Sequence, residues 1–487
     1  MHVDIYNTGV VELPTPLGCN PIVQSASFGS FIGMCLNFFY DSEDNLFAFC
    51  GEMPGGVLGG EIDFQLALLD PDSMTKRATF TLLTFTFFDL LQVPMEFGYM
   101  NLDYLGRLIV IDENNHGLFV GIKNVQGETE LAVLDSIDLS VFVDPSWQKI
   151  ATLVPDYDGR YWFMTLGEVN ADNETVKPAL LGVYDPESGL GEVHEFTDEN
   201  IGNGLALEPD GVYVITDYAT YRFGSGATPG TMELHWRETY TRGTTIKPGV
   251  LSWYGSGATP ALMDDRFLVM TDNSDEQINL LVYRRQVEFA GERLICSVPL
   301  FTPGNSANEN SPIVHGNSIL VQNWCNAPKM IIGDHRQMAT GLWRIDVRED
   351  ESGCDVVWEN TEISAPGTMK LSTETGLIYG AMMNKDIFDA KAWYATLVDF
   401  ETGETVNKIL LGTGMLKDLL YIPVYFGPDG TFYQPVLNGY ISIRDSCVAD
   451  DDADDDTDDD LTPNEDDDND EESSSSGDDD DAGSCCG

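Results

Sequence analysis

The chain has 487 residues and carries 81 Asp and Glu against 25 Lys and Arg, a formal net charge of −56, while 43% of its residues are apolar. A field of that sign opposes nucleic acid and anionic lipid and favours cations or basic partners. The longest apolar stretches, such as FTLLTF near residue 80, are strand-length and too short to span a bilayer, so neither a nucleic-acid binder nor a transmembrane protein is expected.

In chain order, Met1 is followed at once by VDIYNTGVVEL, which alternates as a strand does and lacks the charged region, apolar stretch and cleavage site of a secretory leader. A short phrase then recurs: a turn of Gly, Asp or Asn leading into a strand rich in β-branched and aromatic residues. Its copies begin at Asn45, Gly106, Gly159, Gly211, Asp265, Asn317, Gly376 and Gly430, at intervals of 61, 53, 52, 54, 52, 59 and 54 residues. That self-similarity is the mark of four-stranded sheets arranged radially. The fold expected is all-β, an eight-bladed β-propeller over 1–446, with a seven-bladed ring and an irregular first repeat as the other count. Blade 1 should cover about 21–90, and later blades should begin near 95, 148, 200, 255, 307 and 366.

Asp, Pro and Gly punctuate the outer hairpins, as in Leu69-Asp70-Pro71-Asp72 and Tyr184-Asp185-Pro186, where they preset tight turns. After Gly430 there is room for two strands only, so the last blade lacks an outer strand. Segment 3–13 has the alternation to supply it and to leave no sheet edge open. Residues 449–487 hold 20 of the acids, no Lys or Arg, and a run of four serines. Such a segment cannot bury enough apolar surface to fold, so 447–487 is expected to be a disordered Asp/Ser-rich tail. Without those 20 acids the body still stands near −36.

Nine cysteines show no zinc spacing. Cys35 and Cys50 flank one turn and should lie on neighbouring strands, Cys296 and Cys354 should fall on outer strands of successive blades, and Cys19 and Cys447 could meet where the chain ends join. Any such pair implies an oxidising compartment, and buried reduced cysteine is the alternative. The acidic stalk ending in Cys485-Cys486 resembles the spacer of some bacterial surface-sorting signals, which favours an extracellular or cell-surface location.

The usual catalytic signatures, HExxH, GxSxG, the P-loop and the EF-hand loop, are missing. Gly224-Ser-Gly226 and Gly255-Ser-Gly257 read as loops between blades. Ligands of propellers gather where the innermost strands begin, and by register those positions are Gln24, Asn203, Thr259, Glu309, Asn310, Lys370 and Tyr421. Glu309 and Lys370 come from adjacent blades; a carboxylate beside an ammonium can orient a polar ligand, tune an acid–base pair, or simply neutralise itself in a narrow channel. Asp272, Asn273 and Asp275, with Asp217 at the matching place one blade earlier, offer oxygens suited to a hard cation such as calcium, though Asp and Asn are also ordinary strand-end turn residues.

Segments NGLALEPDGVYVITD (203–217), WRETYTRGTTIKPG (236–249), GSGATPALMDDRFLVMTDN (255–273), LSTETGLIYG (371–380) and LVDFETGETVNKILLGTG (397–414) resemble a family of bacterial propellers related to quinoprotein (PQQ) dehydrogenases. The resemblance implies an eight-bladed ring, in a subgroup whose members mostly lack an established activity. Family blades carry A-x-D-x-x-T-G-x-x-x-W; here Asp399, Thr402 and Gly403 fit, while Asn407 replaces the Trp, and the adjacent cysteines that flank the quinone in the alcohol dehydrogenases are not in the ring. NGLALEPDG is also similar to the gluconolactonase-like propellers, in which an Asn and acidic residues hold a divalent metal. The expectation is a monomeric binding or scaffold module for a small molecule, cation or protein, without a catalytic cofactor; calcium is possible, and the departures count against PQQ. A quinoprotein-like oxidoreductase and a metal-dependent lactonase or esterase are the alternatives.

Overall fold

The computed structural model describes residues 4–29, 33–53, 60–86, 100–144, 146–169, 175–248, 250, 254–327, 335–383, 391–419 and 421–446. Eight four-stranded antiparallel units follow one another, with innermost strands at Gly33–Tyr40, Asn101–Leu102, Ile150–Pro155, Ala206–Glu208, Ala261–Met263, Ile313–His315, Lys370–Ser372 and Tyr425–Phe426. We number them blades 1 to 8. The second strand of a blade is enclosed on both faces and reads as an unbroken buried run, as in Tyr161–Thr165, Phe267–Thr271 and Phe432–Val436. Outer strands alternate, as in Leu190–Phe196. No helix among the described residues is long and apolar enough to cross a membrane.

The apolar side chains sort into eight interfaces. Separate clusters join blades 1 and 2, 2 and 3, 3 and 4, 4 and 5, 5 and 6, 6 and 7, and 7 and 8, and one more packs Phe28, Cys35 and Phe38 of the first blade's side on Tyr425, Tyr433 and Tyr440 of the last. The ring is therefore closed and eight-bladed. The indole of Trp358, on the outer strand of blade 6, covers Gly403 of blade 7, where a Cβ would approach within 2.5 Å of the ring, and donates its N–H to Phe400 O at 3.0 Å. Trp236 of blade 4 does the same to Arg285 O of blade 5 at 3.3 Å. The corresponding place in blade 7 is Asn407, whose amide instead donates to Leu17 O and Gly18 O of the incoming N-terminal segment.

Many carboxylates are consumed by the turns. At Asp41, Asp103, Asp112 and Asp156 one carboxylate oxygen accepts the backbone N–H two and four residues on, at 2.8–2.9 Å, and the other accepts the side chain of Asn45, Arg107, His116 or Arg160. The residue between has a left-handed backbone in each: Asp44, Gly106, Asn115 and Gly159, with φ from 60° to 83°, a region that Gly, Asn and Asp enter most easily.

The N-terminal segment does not complete the last blade. Strand Pro21–Ala26 does so, pairing antiparallel with residues 440–445 in unbroken register. Residues 4–13 instead run along the bore, with residue 3 outside the described residues. Carbonyls of Ile5, Tyr6, Thr8, Gly9 and Val11 accept N–H bonds of 2.8–3.0 Å from Leu207, Leu262, Val314, Leu371 and Thr373, on the innermost strands of blades 4 to 7 or just beyond them. The alternation of 3–13 thus reflects a chain facing several strand edges in turn rather than one edge throughout. The expected start of blade 1 at 21 moves accordingly, to Gly33.

Cys35 pairs with Cys50 across neighbouring strands, and Cys296 with Cys354 across the outer strands of blades 5 and 6. Cys19 is also disulfide-bonded; its expected partner Cys447 and the tail 447–487 lie outside the described residues. Gly224-Ser-Gly226 opens the outer hairpin of blade 4, not a link between blades.

Asn7 anchors the bore segment, since its buried amide donates to Leu205 O and Pro260 O, both at 2.9 Å, and its backbone is left-handed at φ 58°. Asn7→Gly keeps the backbone and removes both bonds, so denaturant unfolding should show a loss of about 1–3 kcal/mol. Asn7→Ala also removes both bonds but keeps a Cβ in the left-handed region without the polar side chain that lets Asn adopt it, and should cost about 1 kcal/mol more than Asn7→Gly.

Candidate functional site

The loops that deliver the chain to the innermost strands of blades 4 to 8 crowd one end of the ring, and most of the predicted residues meet there. Asn203, before blade 4, accepts the Thr259 hydroxyl at 2.7 Å and donates to Gly257 O. Gly257 lies against the carboxylate of Glu309, so closely that a Cβ would come within 2.5 Å of Glu309 Cδ. A larger residue there would push the acid aside. Asn310 accepts the Thr368 hydroxyl at 2.9 Å, while its own amide nitrogen and the Ser311 hydroxyl are buried with no hydrogen-bond partner among the described residues. Tyr421, left-handed at φ 66°, packs its ring 5.1 Å from Trp324, and burial raises its phenol pKa. Asn203, Thr259, Glu309, Asn310 and Tyr421 therefore form an arc along the rim of blades 4 to 8.

Gln24 is not part of that arc. It lies on strand Pro21–Ala26 at the exposed outer edge of blade 8, because the strand taken for an inner one is the closing outer one. Lys370 starts the innermost strand of blade 7 and is 2% exposed. Burial pushes its ammonium down to about 8, and Asp4 of the bore segment acts in the opposite sense.

The four residues offered as cation ligands lie on the same rim and hold its loops. Asp217 accepts Asn200 N at 2.8 Å and pairs with Arg242 at 2.7 Å. Asp272 accepts four bonds, from the N–H and side chains of Ser274 and Asn279. Burial raises the pKa of both carboxyls. Asn273 bridges Gly255 O and Asn308 O. Asp275 accepts Thr244 N and its hydroxyl at 2.9 and 2.6 Å, bonds that lower its pKa. Together they pin the link between blades 4 and 5, and no group of three or more His, Cys, Asp or Glu among the described residues is placed to hold a metal ion.

Sequence reasoning missed a small apolar cap over this rim. Val250, Ala307, Trp324, Cys325, Ala327, Met338 and Ala339 pack together, with Tyr421 against them. Beside the cap, His335 Nε2 donates to Asp418 Oδ1 at 3.0 Å, Lys391 reaches the other oxygen of Asp418 at 3.3 Å, and the His335 ring stands edge-on to Trp393. The signal was the long stretch between strands Ser318–Gln322 and Leu342–Val347, since long loops in compact domains are usually functional or structural devices of their own.

No family model matches the chain. It is 26% identical over 340 residues to an uncharacterized protein of Archaeoglobus fulgidus, the match spanning 63% of this chain and 62% of that protein's length. Solved structures similar to it include the WD40 domain of SCAP from fission yeast (TM-score 0.43, 10% identity, 84% of this chain and 94% of that one). Saccharomyces cerevisiae Sqt1 (TM-score 0.41, 10% identity, 70% and 79%) and a luciferin-regenerating enzyme (TM-score 0.34, 13% identity, 66% and 94%) are also similar.

Lys370 makes the site's pH dependence testable. Between about pH 8 and its ordinary value of 10.5 the unfolded chain holds a proton that the native side chain has lost, so this group makes stability rise with pH across that window. The stability difference between wild type and Lys370→Met should therefore shift towards wild type by about 2–3 kcal/mol from pH 7.5 to 10.5. A constant difference would show an ordinary lysine.

Proposed function

We propose that this propeller is a binding module, working outside the cell or at its surface, whose recognition surface is the capped rim at the strand-start end. The observation that carries the reading is the bore segment: residues 4–13 lie along the innermost strands of blades 4 to 7, which directs ligands to the ends and outer faces of the ring. The rim supports it with buried polar atoms of Asn310 and Ser311 that have no hydrogen-bond partner among the described residues, groups that are costly to leave unmet and that a polar ligand satisfies. The disulfides Cys35–Cys50 and Cys296–Cys354 support an oxidising compartment.

The quinoprotein-like alternative is less well supported by the residues present. Asn407 holds the N-terminal segment where the family's Trp would stand, and the unpaired cysteine among the described residues, Cys325, has Asn326 rather than a second cysteine beside it. The described residues do not fit PQQ as that family holds it. The lactonase reading rests on the same oxygens that hold the rim loops.

A thermal-shift screen of small polar molecules, calcium and basic peptides tests the proposal. A ligand at one hundred times its Kd should stabilise the ring by about 2.7 kcal/mol, and Glu309→Gln and Asn310→Ala should each reduce that shift. Binding indifferent to both substitutions, a visible band with quinone and calcium, or metal-dependent ester hydrolysis would overturn it. The compartment is tested separately: Cys296→Ser with Cys354→Ser opens a closure of 58 residues and should cost about 2–4 kcal/mol, whereas no loss would mean that the pair is reduced in the native protein.

A further inference from the structure

The opposite end of the bore holds a groove of about 550 Å³ between the N-terminal segment and the turns that end the innermost strands of blades 5 and 6. Small-molecule sites have volumes of about 300–1,000 Å³. Its apolar surface comes from the half-buried Val10 and Leu13, over the buried Leu262 and Val314, and three carboxylates line it: Asp4, Glu12 and Asp264. The lining has no Lys or Arg. Glu12 and Asp264 are exposed, and Asp264 is also in reach of Arg266 at 2.7 Å on the open surface, a pairing of small worth. Asp4 is held in place by the hydroxyl and N–H of Thr8 and faces the buried Lys370 on its other side. His315 completes the titratable groups of the lining.

An apolar wall beneath a carboxylate rim, in a body of net charge near −36, is complementary to one kind of small molecule. We propose that this groove binds an alkylammonium ion, its chain along Val10 and Leu13 and its ammonium between Glu12 and Asp264. A neutral molecule of the same shape gains only the apolar contact, and an anion is repelled. The site is separate from the capped rim, so failure of one proposal does not decide the other.

Met263 is buried beneath the groove that it helps to line and packs against Val314, so its methyl signal responds to occupancy through that packing in full-length protein labelled with methyl-¹³C methionine, with Met263→Leu giving the assignment. The probes are n-hexylammonium, 1-hexanol and hexanoate at fixed ionic strength. Hexylammonium should shift the Met263 signal saturably and more tightly than hexanol, and hexanoate should not shift it. The double variant Glu12→Gln, Asp264→Asn should weaken hexylammonium by about three- to tenfold and bring it close to hexanol. Asn is admitted at position 264, where φ is 52°, and the remaining methionine signals verify the fold. An unmoved Met263 signal, equal binding of hexylammonium and hexanol, or undiminished affinity in the double variant would overturn the proposal; the last would assign the affinity to other acids of the chain.

Discussion

Closure of the ring is the constraint on which everything else depends. Every blade buries both faces against neighbours, so a ring has no end repeat that tolerates water on one side, and one interface must be made by residues some 400 positions apart. Here Phe38 sits among Tyr425, Tyr433 and Tyr440, with ring centroids 5.3–5.7 Å away, distances at which aromatic pairs attract beyond their area burial. The phenols are satisfied as well, Tyr425 donating to Leu36 O and Asn37 Oδ1 and Tyr440 to Met74 O. Strand Pro21–Ala26 then gives blade 8 an outer strand drawn from the opposite end of the chain. Contacts so distant in sequence are slow to form, and the disulfide at Cys19 lies just before that strand.

The same geometry accounts for the acidity without requiring a ligand for each charge. A ring of short strands needs a turn at every strand end, and a carboxylate that accepts two backbone N–H groups closes a turn while satisfying donors that would otherwise face away from any ladder. Asp41, Asp103 and Asp156 do this at one end, between first and second strands, and Asp112 and Asp272 do it at the other, between second and third strands, where Asp217 and Asp275 tether neighbouring loops through Asn200 N and Thr244 N.

The repeat phrase was legible because the second strand of every blade is enclosed on both faces, which forces an apolar run at a fixed interval whatever the blade's other strands do. Register then placed Asn203, Thr259, Glu309, Asn310 and Tyr421 at one end, since the innermost strand must start there. The N-terminal stretch was misassigned because alternation says only that a chain is extended: it does not distinguish a strand bonded to one neighbour, such as Pro21–Ala26, from one that gives single carbonyls to Leu207, Leu262, Val314 and Leu371 in succession. The cap was invisible for a similar reason. Trp324 and Met338 of one long connection, Val250 of another and Ala307 of a third share no period, and only the folded ring brings them together.

The bore segment also explains why one side of the ring is elaborated. Innermost strands turn an edge towards the axis, and in a ring of eight the bore is wide enough that those N–H groups need water or a chain to bond. Residues 4–13 supply carbonyls to blades 4 to 7, and the segment leaves past blades 7 and 8, where Asn407 and Asp445 hold residues 17 and 18. The same blades carry the rim arc, the loops pinned by Asp217, Asp272 and Asp275, and the apolar cap. A segment fixed to those inner edges braces the strands from which the rim residues project, so that Asn203, Glu309 and Asn310 are held at set separations by backbone bonds on the far side of their own strands. Such bracing lowers the ordering cost of any binding at the rim, which supports the proposal of a recognition surface over the filled part of the bore.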